Sequence, residues 1–199
     1  MAVRAFFFDL GGVVVRTEYQ APREHLAERL NTTYEDLSRI VFESESSRQA
    51  SLGSITTDAH WDAVTRRLGR PASETKEIRE EFFAGDVVDM DLLTFIRSLR
   101  PHRKTGVISN AWPDMREYLA QKKIGDAFDA LIISAEVGAM KPEPKIFQLA
   151  LDKLGVSARE AAFIDDTPAN VDAARALGMV GILFREPRRA LSDLKGLLK

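Results

Sequence analysis

The sequence predicts an α/β fold: a parallel-sheet core interrupted after its first strand by an all-helical insert. Three observations carry this. Short apolar runs rich in Ile, Val and Phe alternate with segments of helical periodicity. The runs are continuous rather than alternating, which suits strands covered on both faces. Residues 16–89 offer helical patterns and no convincing strand.

The apolar runs are AFFF (5–8), TGVIS (105–109), ALIIS (130–134), AAFID (161–165) and GILF (181–184). Between them, Met90–Arg100 places Leu92, Leu93, Ile96 and Leu99 on one side of a helix. Further helices are expected over Asp114–Ile124, Pro144–Leu154 and Asn170–Leu177, followed by Gly125, Gly155 and Gly178. Glycine at a helix end can take the left-handed conformation that stops the helix, and proline suits a first helical turn. Strand alternating with helix implies right-handed crossovers in one sheet. The insert is expected to hold helices near Arg23–Asn31, Thr33–Ser44, Thr57–Leu68 and Ser73–Phe83. Trp61, Val64 and Leu68 share one helical face, the pattern of a packed core. The expected division is a core domain of residues 1–15 plus 90–199 and a helical cap of residues 16–89.

The 199 residues are enough for one sizeable core and a modest insert. Hydrophobic residues make up 45% and charged residues 29%, with a net charge of −2, so charge gives no case for a nucleic-acid or membrane partner. The absence of cysteine excludes disulfides, thiol catalysis and thiolate zinc sites, and agrees with a reducing cytoplasm as the expected location. No apolar run approaches the roughly 20 residues that span a bilayer. MAVRAFFFDLGGVVV has a signal-peptide flavour, but Asp9 interrupts it and no small-residue cleavage site precedes RTEYQ. His25, His60 and His102 lack metal-ligand spacing and are expected to be solvated or structural.

In an open parallel sheet, ligands bind outside the carboxyl ends of the strands. The first strand ends in Asp9, the second in Ser109-Asn110 and the fourth in Asp165-Asp166, while the loop after the third carries GAMKPEP with Lys141. Each has a bland reading alone: a solvated lysine, a turn, a helix approach. Their convergence on one sheet edge points to chemistry. A carboxylate ending an apolar strand needs a charged or hydrogen-bonding partner, since burial unpaired costs several kcal/mol.

The motifs FFFDLGGVV, VISN, GAMKPEPKIF and FIDDTPANV, in this order and with a helical insert after the first strand, resemble the haloacid dehalogenase-like hydrolases. The resemblance covers nearly the whole chain. DLGGV is similar to a branch that includes sugar-phosphate phosphatases and the phosphatase domain of soluble epoxide hydrolases. The resemblance implies a Rossmann-like core and a Mg²⁺-dependent phosphatase acting on a small phosphomonoester. It implies Asp9 as the nucleophile that forms an aspartyl-phosphate, with Lys141 offsetting charge and Ser109 and Asn110 holding phosphoryl oxygens. Asp9, Asp165, Asp166 and the Gly11 carbonyl are the implied metal ligands, with Asn170 steadying the metal loop. Hard oxygen donors and phosphate suit Mg²⁺.

One position departs from the common pattern. The family's D-x-D places a general acid where this chain has Gly11. Three readings follow: a leaving group that needs little protonation, a substitute such as Glu18 or water, or a weakly active phospho-ligand-binding protein. A 2-haloacid dehalogenase also lacks the second aspartate and needs no metal, but the Asp165-Asp166 pair favours Mg²⁺ and phosphate. A phosphomutase fits less well without that acid. Oligomeric state is open.

Overall fold

The computed structural model describes residues 3–185 and 194–196. Positions 1–2, 186–193 and 197–199 of the expected core segments lie outside the described residues.

The chain runs β1 (Ala5–Phe8), β2 (Val15–Thr17), α1 (Ala21–Arg29), α2 (Tyr34–Phe42), α3 (Glu45–Ser51), α4 (Thr57–Arg67), α5 (Thr75–Phe83) and β3 (Asp86–Val88). It continues through α6 (Met90–Leu99), β4 (Lys104–Ser109), α7 (Met115–Gln121), β5 (Ala130–Ile133), α8 (Ser134–Val137), α9 (Pro144–Leu154), β6 (Ala161–Asp165), α10 (Pro168–Ala176) and β7 (Val180–Leu183).

Five strands form one parallel sheet in the order β5-β4-β1-β6-β7. β1 is central, with Phe8 level with Val107 on one side and Ile164 on the other. Period-two alternation splits its side chains between two layers. Phe6 and Phe8 pack with Leu92, Leu93 and Ile96 of α6, while Ala5 and Phe7 pack with Ile146 and Phe147 of α9. All four β1 side chains are fully buried, and each phenylalanine contributes about 1.5–3 kcal/mol by leaving water. Gly106 is glycine because a Cβ there would lie 2.7 Å from the Phe7 ring.

The segment between β2 and β3 packs its own cluster, which includes Leu26, Leu37, Val41, Trp61, Val64, Ile78 and Phe82. Trp61 and Val64 are buried and Leu68 packs beside them, as the periodicity predicts. The helix N-termini at α2, α3 and α4 are capped by Thr33, Ser44 and Thr56, each accepting a backbone N–H.

Three expectations need correction. The segment does contain strands: β2 and β3 pair antiparallel at its two ends, Val15 opposite Val88. Three-residue strands carry no readable period, and only the partner 70 residues away makes them strands. The helix α3 is additional; its sequence ESSRQAS lacks an apolar stripe. The helix over 114–124 is shorter and does not stop at Gly125. α7 ends at Gln121, Lys123 takes the left-handed conformation (φ 55°), and Gly125 opens a 3₁₀ turn. Gly155 and Gly178, in contrast, both have positive φ as expected.

Candidate active site

The β1, β4 and β6 registers bring the predicted strand-end residues to one edge. Asp9 follows the last β1 residue, and its N–H donates to Ile164 O at 2.9 Å, which ties it beside Asp165. Ser109 closes β4 and is buried. Lys141 reaches in from the loop before α9, its side chain only 1% exposed.

Lys141 Nζ sits between two carboxylates, 2.8 Å from Asp9 Oδ2 and 2.6 Å from Asp165 Oδ2. Asp165 is fully buried and saturated. Besides Lys141 it accepts from Thr167 N at 2.8 Å and from Asn170 Nδ2 at 3.1 and 3.2 Å. Asp166 is exposed, and its hydrogen-bond partner is the Thr167 hydroxyl at 3.3 Å. The two neighbouring aspartates therefore have different surroundings: one is locked on the lysine and the other is open.

Asn110 pins the lysine loop. Its side chain donates to Lys141 O at 2.9 Å and accepts from Lys141 N at 2.8 Å. Ser134, which the sequence did not single out, is fully buried. It accepts from Ala111 N at 3.0 Å and donates to Ala111 O at 3.2 Å, holding the loop after Ser109. Nothing in the local sequence marks a serine at the end of a strand for that task.

The turn after Asp9 explains one glycine and opens the question of the other. Gly12 has φ +74°, and a Cβ there would overlap Asp166 Oδ2 at 2.0 Å. Gly11 has no such constraint: a Cβ would meet nothing within 4 Å. The Glu18 carboxylate, the substitute acid considered above, is held by Arg16 Nε at 3.0 Å and Nη2 at 2.5 Å. Arg16 in turn reaches Asp89 Oδ2 at 2.6 Å.

Burial pushes the Asp9 carboxyl up to about 6; Lys141 opposes the rise, nearby Asp165 adds to it, and Ser109 opposes it. Burial and then Asp165 raise Asp166 as well. One ammonium does not balance three carboxylates. Asp9, Asp165 and Asp166 each offer an oxygen, all within 4.8 Å of one another. Such a hard, anionic donor set fits a divalent cation of the Mg²⁺ type. The missing Cβ at Gly12 leaves the space that Asp166 needs beside it.

The helical segment is fastened to this edge two residues past Asn110. Trp112 stacks on Phe42 (ring centroids 6.1 Å apart, 23° between planes) and lies 4.4 Å from the His60 ring and 5.9 Å from Trp61. Asp114 accepts from the Thr57 hydroxyl at 2.7 Å and pairs with Arg79. His60 is structural, fully buried against this cluster, and burial lowers its pKa to about 4. His25 and His102 are exposed.

A parallel Rossmann-like sheet with a lysine and acidic residues on its carboxyl edge defines an α/β protein with a charged strand-end site. The chain belongs to the haloacid dehalogenase-like hydrolases, whose sequence profile matches residues 3–178. It is 30% identical over 215 residues to bifunctional epoxide hydrolase 2 of Rattus norvegicus, covering 98% of this chain and 39% of that protein. The chain thus spans well under half the length of that relative. It is 26% identical to sesquiterpene phosphatase astK of Aspergillus oryzae, covering 98% of this chain and 96% of that one. An enzyme of the same family from Bacteroides thetaiotaomicron, solved with magnesium and inorganic phosphate, superposes with a TM-score of 0.77 at 22% identity, over 92% of this chain and 95% of that one. L-2-haloacid dehalogenase of Xanthobacter autotrophicus superposes with a TM-score of 0.70 at 21% identity, over 99% and 84%. At these identities the structural likenesses establish the fold alone, for the magnesium and phosphate complex and the dehalogenase alike. No helix among the described residues is long and apolar enough to cross a membrane.

Proposed function

We propose that this hydrolase is a Mg²⁺-dependent phosphatase of small phosphomonoesters, with Asp9 as its nucleophile and a cytoplasmic setting. The observation that carries this reading is the Asp9–Lys141–Asp165 chain beside the open Asp166. Phosphoryl transfer to a carboxylate needs a cation to balance the charge, and the open Asp166 is placed to help hold one.

In this reading Asp9 Oδ attacks phosphorus, the P–O bond to the leaving group breaks, and an aspartyl-phosphate forms on Asp9. Water then hydrolyses it and regenerates the carboxylate. Lys141 holds Asp9 in place and offsets the charge of the arriving phosphoryl group. Ser109 and the Asn110 backbone amide bind phosphoryl oxygens. Asp165 acts on Lys141 and the Thr167 turn; Asp9, Asp166 and the Gly11 carbonyl would hold the cation, with Asp165 beside them. When bound, Mg²⁺ supplies the positive charge that lets a carboxylate approach a phosphate dianion.

Residues 16–89 serve as the cap over this edge, entered and left through the β2–β3 ribbon. The leaving oxygen departs without a protein acid at position 11, which favours substrates with good leaving groups. A second reading, a weakly active phospho-ligand-binding protein, is favoured by the same vacancy at Gly11. A phosphate-release screen over phosphorylated metabolites, with and without Mg²⁺, tests the proposal. Mg²⁺-dependent turnover of at least one compound supports it. Tight binding of phosphate esters without turnover supports the second reading. Chloride release from 2-chloropropionate in chelator would replace both with a dehalogenase.

A further inference from the structure

A cleft of about 640 Å³ opens at the far end of β4 from the acidic site. Lys104 begins that strand and Ser109 ends it. At about 3.3 Å per residue the two lie about 17 Å apart. Arg100, Arg103, Lys104 and Lys153 line the cleft, with Asp129 as the one carboxylate among the lining residues. The volume falls in the range of small-molecule sites and exceeds what one phosphate needs.

Part of this charge has structural work. Arg100 pairs with Asp129 at 2.7 Å and donates to Asp126 O at 2.6 Å. Asp129 also accepts from Thr105 N at 2.8 Å, so it has little capacity left. Lys104 Nζ donates to Leu154 O at 2.5 Å, closing the C-terminal end of α9, where a cation is favoured.

Arg103 and Lys153 have no such account. Neither has a carboxylate within ion-pair distance among the described residues. Arg103 donates from Nη1 to His102 O at 2.9 Å, and its Nε is buried with no acceptor among the described residues. A buried donor left unbonded is costly, so it calls for a partner. Elsewhere arginines such as Arg29, Arg97 and Arg116 each meet a carboxylate. The cleft thus gathers two cations without an ion pair, in a chain whose net charge is −2.

We propose that this cleft is a second anion site, separate from the Asp9 edge, that binds a small polyphosphate. The guanidinium fork of Arg103 matches phosphate oxygens two at a time, and Lys153 and Lys104 add point charges around them. A chain of two or three phosphates spans the cleft better than one. The chemistry is shared by inorganic polyphosphate and by the phosphate tail of a nucleotide.

The test is calorimetric titration of the full chain with tripolyphosphate, and separately with ATP, at low salt in excess EDTA. One saturable site is expected. K153E, at an exposed position, and R103Q should each weaken it at least tenfold. D9N should leave it unchanged. Equal affinity for the two probes assigns recognition to the phosphates alone, and tighter ATP binding assigns a nucleotide. Absence of saturable binding to both probes overturns the proposal. Binding that survives K153E and R103Q but is lost in K141A overturns it too, by moving the anion to the Asp9 edge. That outcome leaves the proposed catalytic reading intact, so the two can fail separately.

Discussion

Asp165 Oδ2 lies 2.6 Å from Lys141 Nζ, and neither side chain reaches solvent. The contact separates the tasks of two aspartates that stand side by side in the chain. Asp165 spends its oxygens on Lys141, Thr167 and Asn170. Asp166 is exposed and accepts from the Thr167 hydroxyl alone among the described side chains.

The first prediction is a split between these two positions. Asp166→Asn should raise the Mg²⁺ concentration for half-maximal activity by tenfold or more, with much of kcat recovered at high Mg²⁺. Asp165→Asn should lower kcat about 10²-fold at every Mg²⁺ concentration, because it frees Lys141 from its buried partner. Mg²⁺ titrations of both variants give the answer. Equal Mg²⁺ dependence in the two would contradict the division of labour.

Asp9→Asn should abolish turnover and also stabilise the metal-free protein at neutral pH. The buried carboxyl titrates near 6 when folded, against an ordinary value of 3.8. Between those values the folded state binds the proton more tightly. Stability from this group therefore falls as pH rises from about 4 to 6, and the full penalty persists above. The upward shift corresponds to about 1–3 kcal/mol. Metal-free D9N should gain that much over the parent at pH 7.5 and little at pH 3.5. Denaturant melts at the two pH values in EDTA measure it; a D9N protein less stable at pH 7.5 would show that Lys141 needs Asp9 more than burial opposes it.

The glycines after Asp9 should respond in opposite ways. Gly11→Asp has open space and no positive φ to satisfy, so the variant should fold with nearly unchanged stability. It should then gain activity selectively on alkyl phosphates. In the parent, log(kcat/KM) should fall steeply as leaving-group pKa rises, and the variant should flatten that slope. Gly12→Ala meets both the φ +74° conformation and the Asp166 carboxylate. It should cost at least about 1 kcal/mol and weaken Mg²⁺ binding. A flat slope in the parent, with chemistry rate-limiting, would mean that another acid acts, for which Glu18 would have to leave Arg16.

Trp112→Ala should loosen the helical segment from the sheet. The indole packs the loop after Ser109 against the Phe42–His60–Trp61 cluster, beside the Asp114 contacts to Thr57 and Arg79. Removing it should cost about 2 kcal/mol and speed hydrogen exchange in α2 and α4. A cap hinged only at the β2–β3 ribbon would already exchange fast at its junctions and slow when beryllofluoride and Mg²⁺ bind. With Trp112 and Asp114 fastened, most of that protection should be present before the mimic is added. Exchange rates unaffected by W112A would remove the indole as a tether.

The parallel sheet, its five strands and the two helix stops at Gly155 and Gly178 could be read from the chain because each rests on local chemistry. A continuous apolar run needs cover on both faces, and a glycine takes positive φ without strain. The strand-end positions of Asp9, Ser109 and Asp165 followed from the same runs. Other features depended on residues distant in sequence. Val15 becomes a strand residue only against Val88, and α3 has no apolar stripe to announce it. The stop at Lys123 took a conformation that glycine two residues later was expected to supply. Asp165 and Asp166 are identical as letters. Lys141, twenty-four residues earlier, reaches one and not the other, and successive residues at a strand end face opposite ways. Arg103 and Lys153 likewise share a cleft only because β4 and α9 pack together. Short-range periodicity writes the elements, but which charge meets which is a matter of three-dimensional distance.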